Sequence, residues 1–401
     1  MVPAIITAAG MVLLFVVLAY YRTWLKAIVP QPLKQSLDDY PSVTVIRPIR
    51  GLDAGVEGNL EVALNHNYPG EVETFFVFDN GDEPAIPKVQ EAMLNHPDVA
   101  GQRCSRILFC GEPPAGRTGK LNAMLRGLEE ATGKLIAFCD SDVRTDKDSL
   151  THLVDTLVDN PESGSAFAPV AVTSAPQTMG DAAYALLLNG LYGPVTAAVA
   201  KGNGGELPFI MGQFMVLRRS AIERIGGLES IDGQLVDDMY IGARMQQAGL
   251  HNIVSPRSVS ILQEGLPSKE FWALYTRWIM FSRTGLPGWG FRIHAAVPVA
   301  LYWVSLVLAA AAASQGWWVA AMANAVVPAV VPWIYADLHR AIGGARLGPV
   351  NRWASLFVLL LAPVVFSASY LSRKVHWRGH VYALNGQARL EQGKAATVES
   401  A

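Results

Sequence analysis

Two aspartates one residue apart, Asp140 and Asp142, follow an apolar run, Leu135-Ile136-Ala137-Phe138, that reads as a short buried strand. In open α/β sheets ligands collect beyond the carboxyl ends of the strands, so acids placed there face a crevice rather than a core. Carboxylates at i and i+2 off a strand end can converge on one hard divalent cation, and such a cation neutralises a diphosphate. An isolated Asp-x-Asp is more often a pair of solvated loop acids. The motifs around this one change the weighting.

Asp79 ends a second apolar run, Thr74 to Phe78, and is followed by the turn-forming Asn80-Gly81-Asp82. A carboxylate there can accept hydrogen bonds from a base or ribose, or serve as a plain turn former. Arg117-Thr118-Gly119-Lys120-Leu121-Asn122 opens a helix, whose N-terminus attracts phosphate, and Lys120 adds a point charge. The run Phe209 to Arg219 reads as a strand entered through Gly212, which lets the backbone approach a ligand or forms a bulge. Asp237 and Asp238 begin a helix, whose dipole alone would account for them; Asp238 is also placed to act as a general base toward an acceptor hydroxyl. His251, His294 and His376 stand in no metal-ligand spacing and are read as structural or interfacial.

These residues need a scaffold. Across 40–262, strands at 43–46, 74–78, 106–109 and 135–138 alternate with helices near 60–64, 87–95 and 120–131, the order of an α/β domain with a mostly parallel sheet. Hydrophobic residues make up 51% of the 401 and charged residues 16%, against a usual ~25%, which implies membrane spans attached to this domain. A net charge of -2 argues against nucleic acid as a partner. Cys104, Cys110 and Cys139 cannot all pair, and Cys139 adjoins the acid pair, so the domain reads as cytosolic and reduced.

Residues 1–25 form an N-terminal anchor: the apolar run from Pro3 to Tyr21 is followed by Arg22 and Lys26, which the positive-inside rule places in the cytoplasm. Residues 263–292 set Phe271, Leu274, Tyr275, Trp278 and Phe281 at helical spacing among Lys269, Arg277 and Arg283, a pattern for amphipathic helices at the membrane surface. Residues 293–372 hold apolar segments at about 297–313, 317–335 and 353–371, interrupted by Pro328, Pro332 and Pro363, and 373–401 is a tail. Four complete spans starting outside would strand Arg373, Lys374 and Arg378 outside, so an odd number fits the charges better. The expectation is one N-terminal and two or three C-terminal transmembrane helices.

The order Asp79, Asp140-Ser141-Asp142, Asp237-Asp238, Arg277-Trp278 resembles the D, DxD, (E/D)D, QxxRW series of processive and lipid-directed family 2-like glycosyltransferases with a GT-A, Rossmann-like fold. More narrowly, the stretch from Val43 to Asp53, Asn59-Leu60-Glu61, Tyr68-Pro69, Gly119-Lys120-Leu121-Asn122 and Gly226-Gly227-Leu228 look like the ceramide glucosyltransferase family in its bacterial, family 21 form. The similarity covers roughly 40–285, with a looser match around Trp377-Arg378-Gly379.

That resemblance implies inverting transfer of a hexose, glucose foremost, from a UDP-sugar such as UDP-glucose to a lipid hydroxyl, ceramide foremost. It implies a multi-pass inner-membrane protein with a cytoplasmic catalytic domain, using Mg²⁺ or Mn²⁺. By the same similarity Asp79 would hold the uridine, Lys120 would lie near the nucleotide, and Asp140 and Asp142 would face ribose and metal. Asp238 would take the hydroxyl proton, while Arg277 and Trp278 would close over diphosphate and acceptor. The leaving UDP gathers negative charge that a cation and an arginine stabilise. Two departures stand out: Leu274 occupies the place of the glutamine of QxxRW, and Asp237 that of the usual glutamate. Transfer to hopanoid or diacylglycerol is a near alternative. A non-catalytic, membrane-anchored UDP-sugar-binding protein is the alternative of another class, and it would have no need of Asp238 as base. Processive polymer synthesis needs a channel of many spans, and about four are on offer.

Overall fold

A computed structural model describes residues 1–29, 39–285, 290–378, 380–385, 389–391 and 397–398. The side chains of Arg283 and His294, and all of Gly379, fall outside the described residues.

The chain opens with the apolar helix α1 (Val2–Ala27) and then enters the α/β domain. Strands β1 (Val43–Pro48), β2 (Val72–Phe78), β3 (Arg103–Phe109) and β4 (Leu135–Cys139) alternate with helices α2 (Val56–Leu64), α3 (Ile86–Asn95) and α4 (Gly119–Glu130). Together with β6 (Ser163–Phe167), β8 (Phe214–Arg218) and β9 (His251–Val254) they form a seven-stranded sheet in the order β3-β2-β1-β4-β8-β6-β9. The first four strands pair in parallel, as the alternation predicted, because each connection passes through a helix. Strand β8 runs antiparallel to both β4 and β6. Phe75 to Phe78 of β2 and Ile136 to Cys139 of β4 are all buried, the near-continuous apolar signature of strands covered on both faces.

A second, small sheet holds β5 (Val143–Arg144), β10 (Val259–Ile261) and β7 (Val170–Val172), in that order. Helix α5 (Ser149–Val158) covers the main sheet. The apolar run 179–202 folds as α6 (Met179–Leu187), a π-helical turn at Leu188–Tyr192, and α7 (Gly193–Gly202). That run is long and apolar enough to span a bilayer, yet it is largely buried within the protein. After β8 come α8 (Arg219–Arg224) and α9 (Asp237–Gln247), then α10 (Ser268–Gly285), α11 (Gly290–Ser314), α12 (Trp318–Ala341) and α13 (Ala354–Leu371).

Helices α1 and α12 run in the same direction. Gly10 lies so close to Ala323 that an added Cβ would sit 2.9 Å from its carbonyl carbon, and Tyr21 near the other end donates a 2.6 Å hydrogen bond to Asp337. Small residues and buried amides are what let apolar helices pack tightly, and Asn324 bonds across to the Ile6 carbonyl at 2.9 Å. Helix α11 reaches α12 through a short turn and lies antiparallel to it. His339, near the end of α12, contacts Asn189 at 3.0 Å, and Asn189 holds the backbone of Val172 in β7, so α12 ends against the α/β domain.

Just before α13, Arg352 stacks over Trp333 of α12. After Ser372 and Arg373 the chain enters β11 (Lys374–Trp377), which pairs antiparallel with β12 (His380–Ala383). Among the described residues five helical runs, Val2–Ala27, Met179–Gly202, Ala296–Ser314, Trp318–Ala341 and Asn351–Leu371, are long and apolar enough to cross a membrane.

Candidate active site

A cleft of about 600 Å³ opens at the carboxyl ends of β1, β2 and β4. It is lined by every residue singled out for chemistry: Asp79, Lys120, Asp140 with Asp142, Asp238, and Arg277 with Trp278. The elements explain the convergence. Asp79 and Asp140 follow directly on parallel strands β2 and β4, Lys120 sits in the first turn of α4, and Asp238 in the first turn of α9.

Asp140 is fixed through its backbone, its N–H donating to the Gln213 carbonyl at 2.9 Å. Buried Arg47 donates to the Asp140 and Val143 carbonyls at 3.1 and 3.2 Å, which pins the loop that carries both acids. Lys120 Nζ lies 2.6 Å from Asp140 Oδ1 and 3.4 Å from the Gly212 carbonyl. Burial works against the ammonium charge, but Asp140, Asp237 and Asp238 surround it and hold its pKa above the ordinary value. Thr118 caps α4, its hydroxyl accepting the Leu121 N–H at 3.1 Å.

Asp142 is pushed up to about 6 by burial, with Arg378 opposing and Asp140 and Asp53 adding to the rise. Burial also raises Asp140, against the pull of Lys120. Two half-buried carboxylates that resist ionising side by side are relieved by a cation. Asp238 accepts the Gly212 N–H at 2.6 Å through Oδ2 and the Met239 N–H at 2.7 Å through Oδ1. Burial first and Asp237 second lift its pKa to about 7, while Lys120 and the two amides work the other way. Asp237 is itself only 3% exposed, and its Oδ2 has no hydrogen-bond partner among the described residues.

At the far end of the cleft Asp79 is ion-paired with Arg50, lies 3.6 Å from His380 Nε2, and accepts from the Cys110 thiol at 3.6 Å. Burial and Asp79 push that thiol up to about 12. Arg277 donates through Nη1 to the His376 carbonyl at 3.2 Å. Trp278 packs on Tyr184 and Tyr192 with ring centroids 5.3 and 5.8 Å apart. Leu274, in the place of the expected glutamine, also faces the cleft.

The sequence reading missed the wall supplied by the chain's end. Arg378, His380 and Tyr382 all line the cleft, and the Gly119 N–H at the start of α4 donates to the Tyr382 hydroxyl at 3.1 Å. Arg50 and Asp53, in the stretch from Val43 to Asp53, also line the cleft, although nothing local in the sequence marks them for a site. The Trp377-Arg378-Gly379 similarity was the available signal for the tail, but only the fold brings it within reach of β2 and β4. His251, by contrast, pairs with Glu206 at 2.6 Å and does not line the cleft.

Ceramide glucosyltransferase 3 of Caenorhabditis elegans is 23% identical over 252 residues, covering 62% of this chain and 52% of that protein. "Probable glycosyltransferase YdaM" of Bacillus subtilis (strain 168) is 24% identical over 251 residues, covering 61% and 56%. The chain thus spans about half the length of these curated relatives. Among solved structures, the mannosyltransferase PcManGT from Pyrobaculum calidifontis in complex with GDP-Man and Mn²⁺ shares the fold with a TM-score of 0.54 at 20% identity, over 89% of this chain and 99% of that one. The architecture is therefore GT-A-like, with apolar helices attached at both ends of the catalytic domain. The profile of glycosyl transferase family 21 matches residues 3–390, and the chain belongs to that family.

Proposed function

We propose that this protein transfers a hexose, glucose foremost, from a UDP-sugar to a lipid hydroxyl, ceramide foremost, with inversion at the anomeric carbon. The observation that carries the reading is Asp238: a carboxylate held by two backbone amides, lifted to about 7, in the same cleft as the Asp140–Asp142 pair. A group with a pKa near the working pH is best placed to accept a hydroxyl proton as the bond to the sugar forms. A module that only binds a sugar nucleotide gains nothing from burying such a group.

The donor set fits Mg²⁺ or Mn²⁺. Asp140 and Asp142 supply hard oxygen ligands, and among the described residues no third His, Cys, Asp or Glu completes a cluster with them. Two carboxylates with the remaining positions left to phosphate oxygens and water is the usual arrangement for a nucleotide-bound cation. When bound, the cation would neutralise charge on the departing diphosphate. The chain's own residues do the rest: Lys120 adds positive charge beside Asp140, Asp79 offers an acceptor to the nucleoside, and Arg277 with Trp278 lines the acceptor side.

A lipid acceptor is supported by the apolar part of the cleft lining, to which Leu274 and Phe281 of α10 contribute with Met239 and Trp377. The orientation follows from charge. Arg22 and Lys26 near the end of α1, and Arg340 near the end of α12, lie on the side of the α/β domain, which the positive-inside rule would assign to the cytoplasm of an inner-membrane protein.

The test is product analysis: detergent-purified protein, UDP-glucose, Mn²⁺ or Mg²⁺ and ceramide, with mass spectrometry of the lipid and NMR of its anomeric proton. A β-linked hexosylceramide is expected from the α-linked donor. A product only on diacylglycerol or hopanoid moves the acceptor, and an α linkage removes Asp238 as base. Binding of the UDP-sugar with no product on any lipid overturns the enzyme reading in favour of a binding protein.

A further inference from the structure

The β11–β12 strap is a built element rather than a loose tail. Val375, Tyr382, Leu384 and Leu390 are buried against Leu235, Val236 and Met280, and the Leu390 N–H donates to the Gly233 carbonyl at 3.0 Å. Arg277 supports it from beneath through the His376 carbonyl. At its turn Arg378 has φ 51°, the left-handed region that side-chain-bearing residues seldom occupy. Strained backbone of this kind persists only where the surroundings impose it, and it concentrates at functional sites.

What the turn achieves is to aim a guanidinium into the cleft. Arg378 is ion-paired with Asp53 and lies 3.4 Å from Asp142 Oδ2. Asp142 is one of the two carboxylates assigned above to the divalent cation. An arginine therefore stands where that cation's charge is needed. Once a dication takes Asp142, guanidinium and metal repel, and the opposite charge newly within reach is the donor's diphosphate, whose geometry a guanidinium fork matches.

We propose that Arg378 is a diphosphate-binding residue that neutralises Asp142 before the donor arrives and exchanges that carboxylate for the donor's phosphates when the metal binds. The proposal rests on the sugar-nucleotide reading. Asp53 remains the pivot, holding the guanidinium in both arrangements. The same residue thus opposes the bare metal and favours the metal–nucleotide pair, two effects of opposite sign that a merely structural residue does not combine.

The experiment measures two affinities of the full-length protein in detergent: Mn²⁺ alone, by electron paramagnetic resonance of the free ion, and UDP at saturating Mn²⁺, by calorimetry. In Arg378→Ala, Mn²⁺ alone is expected to bind more tightly than in wild type. UDP with Mn²⁺ should bind about tenfold or more weakly, the loss of a charge-assisted hydrogen bond. Arg378→Lys should keep the weak Mn²⁺ binding and recover part of the UDP affinity. Unchanged affinities in Arg378→Ala, or a parallel loss of both that Arg378→Lys does not repair, overturn the proposal while leaving the sugar-nucleotide reading intact. Failure of the wild type itself to bind UDP with Mn²⁺ overturns that reading, and this one with it.

Discussion

Replacing Gly212 with alanine would strike the proposed base while leaving Asp238 itself unsubstituted. A Cβ at this position would stand 2.5 Å from Asp238 Cβ and 2.6 Å from Asp238 Oδ2. Carbon atoms in contact sit about 3.5–4.0 Å apart, so Asp238 must withdraw by about 1 Å. Helix α9 cannot slide to absorb this, because Gly242 one turn on already lies against the backbone of Phe209 and Ile210. The displacement falls on the side chain, and the 2.6 Å bond from the Gly212 N–H is lost. That bond favours the charged form, so its loss lifts Asp238 further above about 7. We expect kcat for sugar transfer to fall by about 10²-fold, the usual cost of a 1 Å misplacement, with stability lower by about 1–3 kcal/mol from overpacking. Donor KM should change far less than kcat, and the rising limb of the pH–rate profile should move to higher pH. Steady-state transfer rates across pH 5–9, with thermal unfolding as the folding control, make the test. A folded Gly212→Ala protein with kcat within twofold of wild type and an unmoved pH profile would refute the placement of the base.

In the wild type kcat/KM should rise as pH passes about 7, where Asp238 gives up its proton; a profile flat from pH 5 to 8 would remove it as base. The same group bears on stability. Its folded pKa lies above the ordinary 3.8, so its stabilising contribution is full below about 4 and is lost as pH rises through about 7, a decline that Asp238→Asn should flatten in denaturant titrations. Asp181, 1% exposed, accepts N–H groups from Gln177 and Thr178 at 3.0 Å and from Gly265 and Leu266 at 3.0 and 2.8 Å, tying the start of α6 to the loop before α10. Asp181→Ala strands four amides and should cost about 3–5 kcal/mol, read as a drop in unfolding midpoint. Cys139 is 1% exposed and the Cys110 thiol is held near 12, so a maleimide at pH 8 should modify Cys104 alone in the folded protein, as peptide mass mapping would report.

Much of the site could be read from the sequence because each of its acids closes a periodic element. Asp79 and Asp140 end apolar runs, and Asp238 and Lys120 open helices, so local pattern alone put them at sheet ends and helix starts. The first four strands were legible for the same reason. Later elements were not: β5, β7 and β10 are two or three residues long, too short for a period to show. The apolar run 179–202 carries a span-like composition although Asn189 and Asp181 bury it in the domain. The apolarity of α13 likewise says nothing of direction, or of whether the helix crosses or packs on its neighbours. The strap was hidden most completely, since Arg378 and Asp142 are 236 residues apart and no local signal links them.

The central claim is base-assisted transfer from a sugar nucleotide to a lipid, and UDP release reports it directly. Detergent-purified wild type and Asp238→Asn would be given UDP-glucose and Mn²⁺, with and without ceramide. The structure leads us to expect ceramide-stimulated release by the wild type and its loss by about 10²-fold or more in Asp238→Asn, with UDP affinity within about threefold of wild type. Equal release with and without lipid, or an Asp238→Asn protein as fast as the wild type, would contradict it.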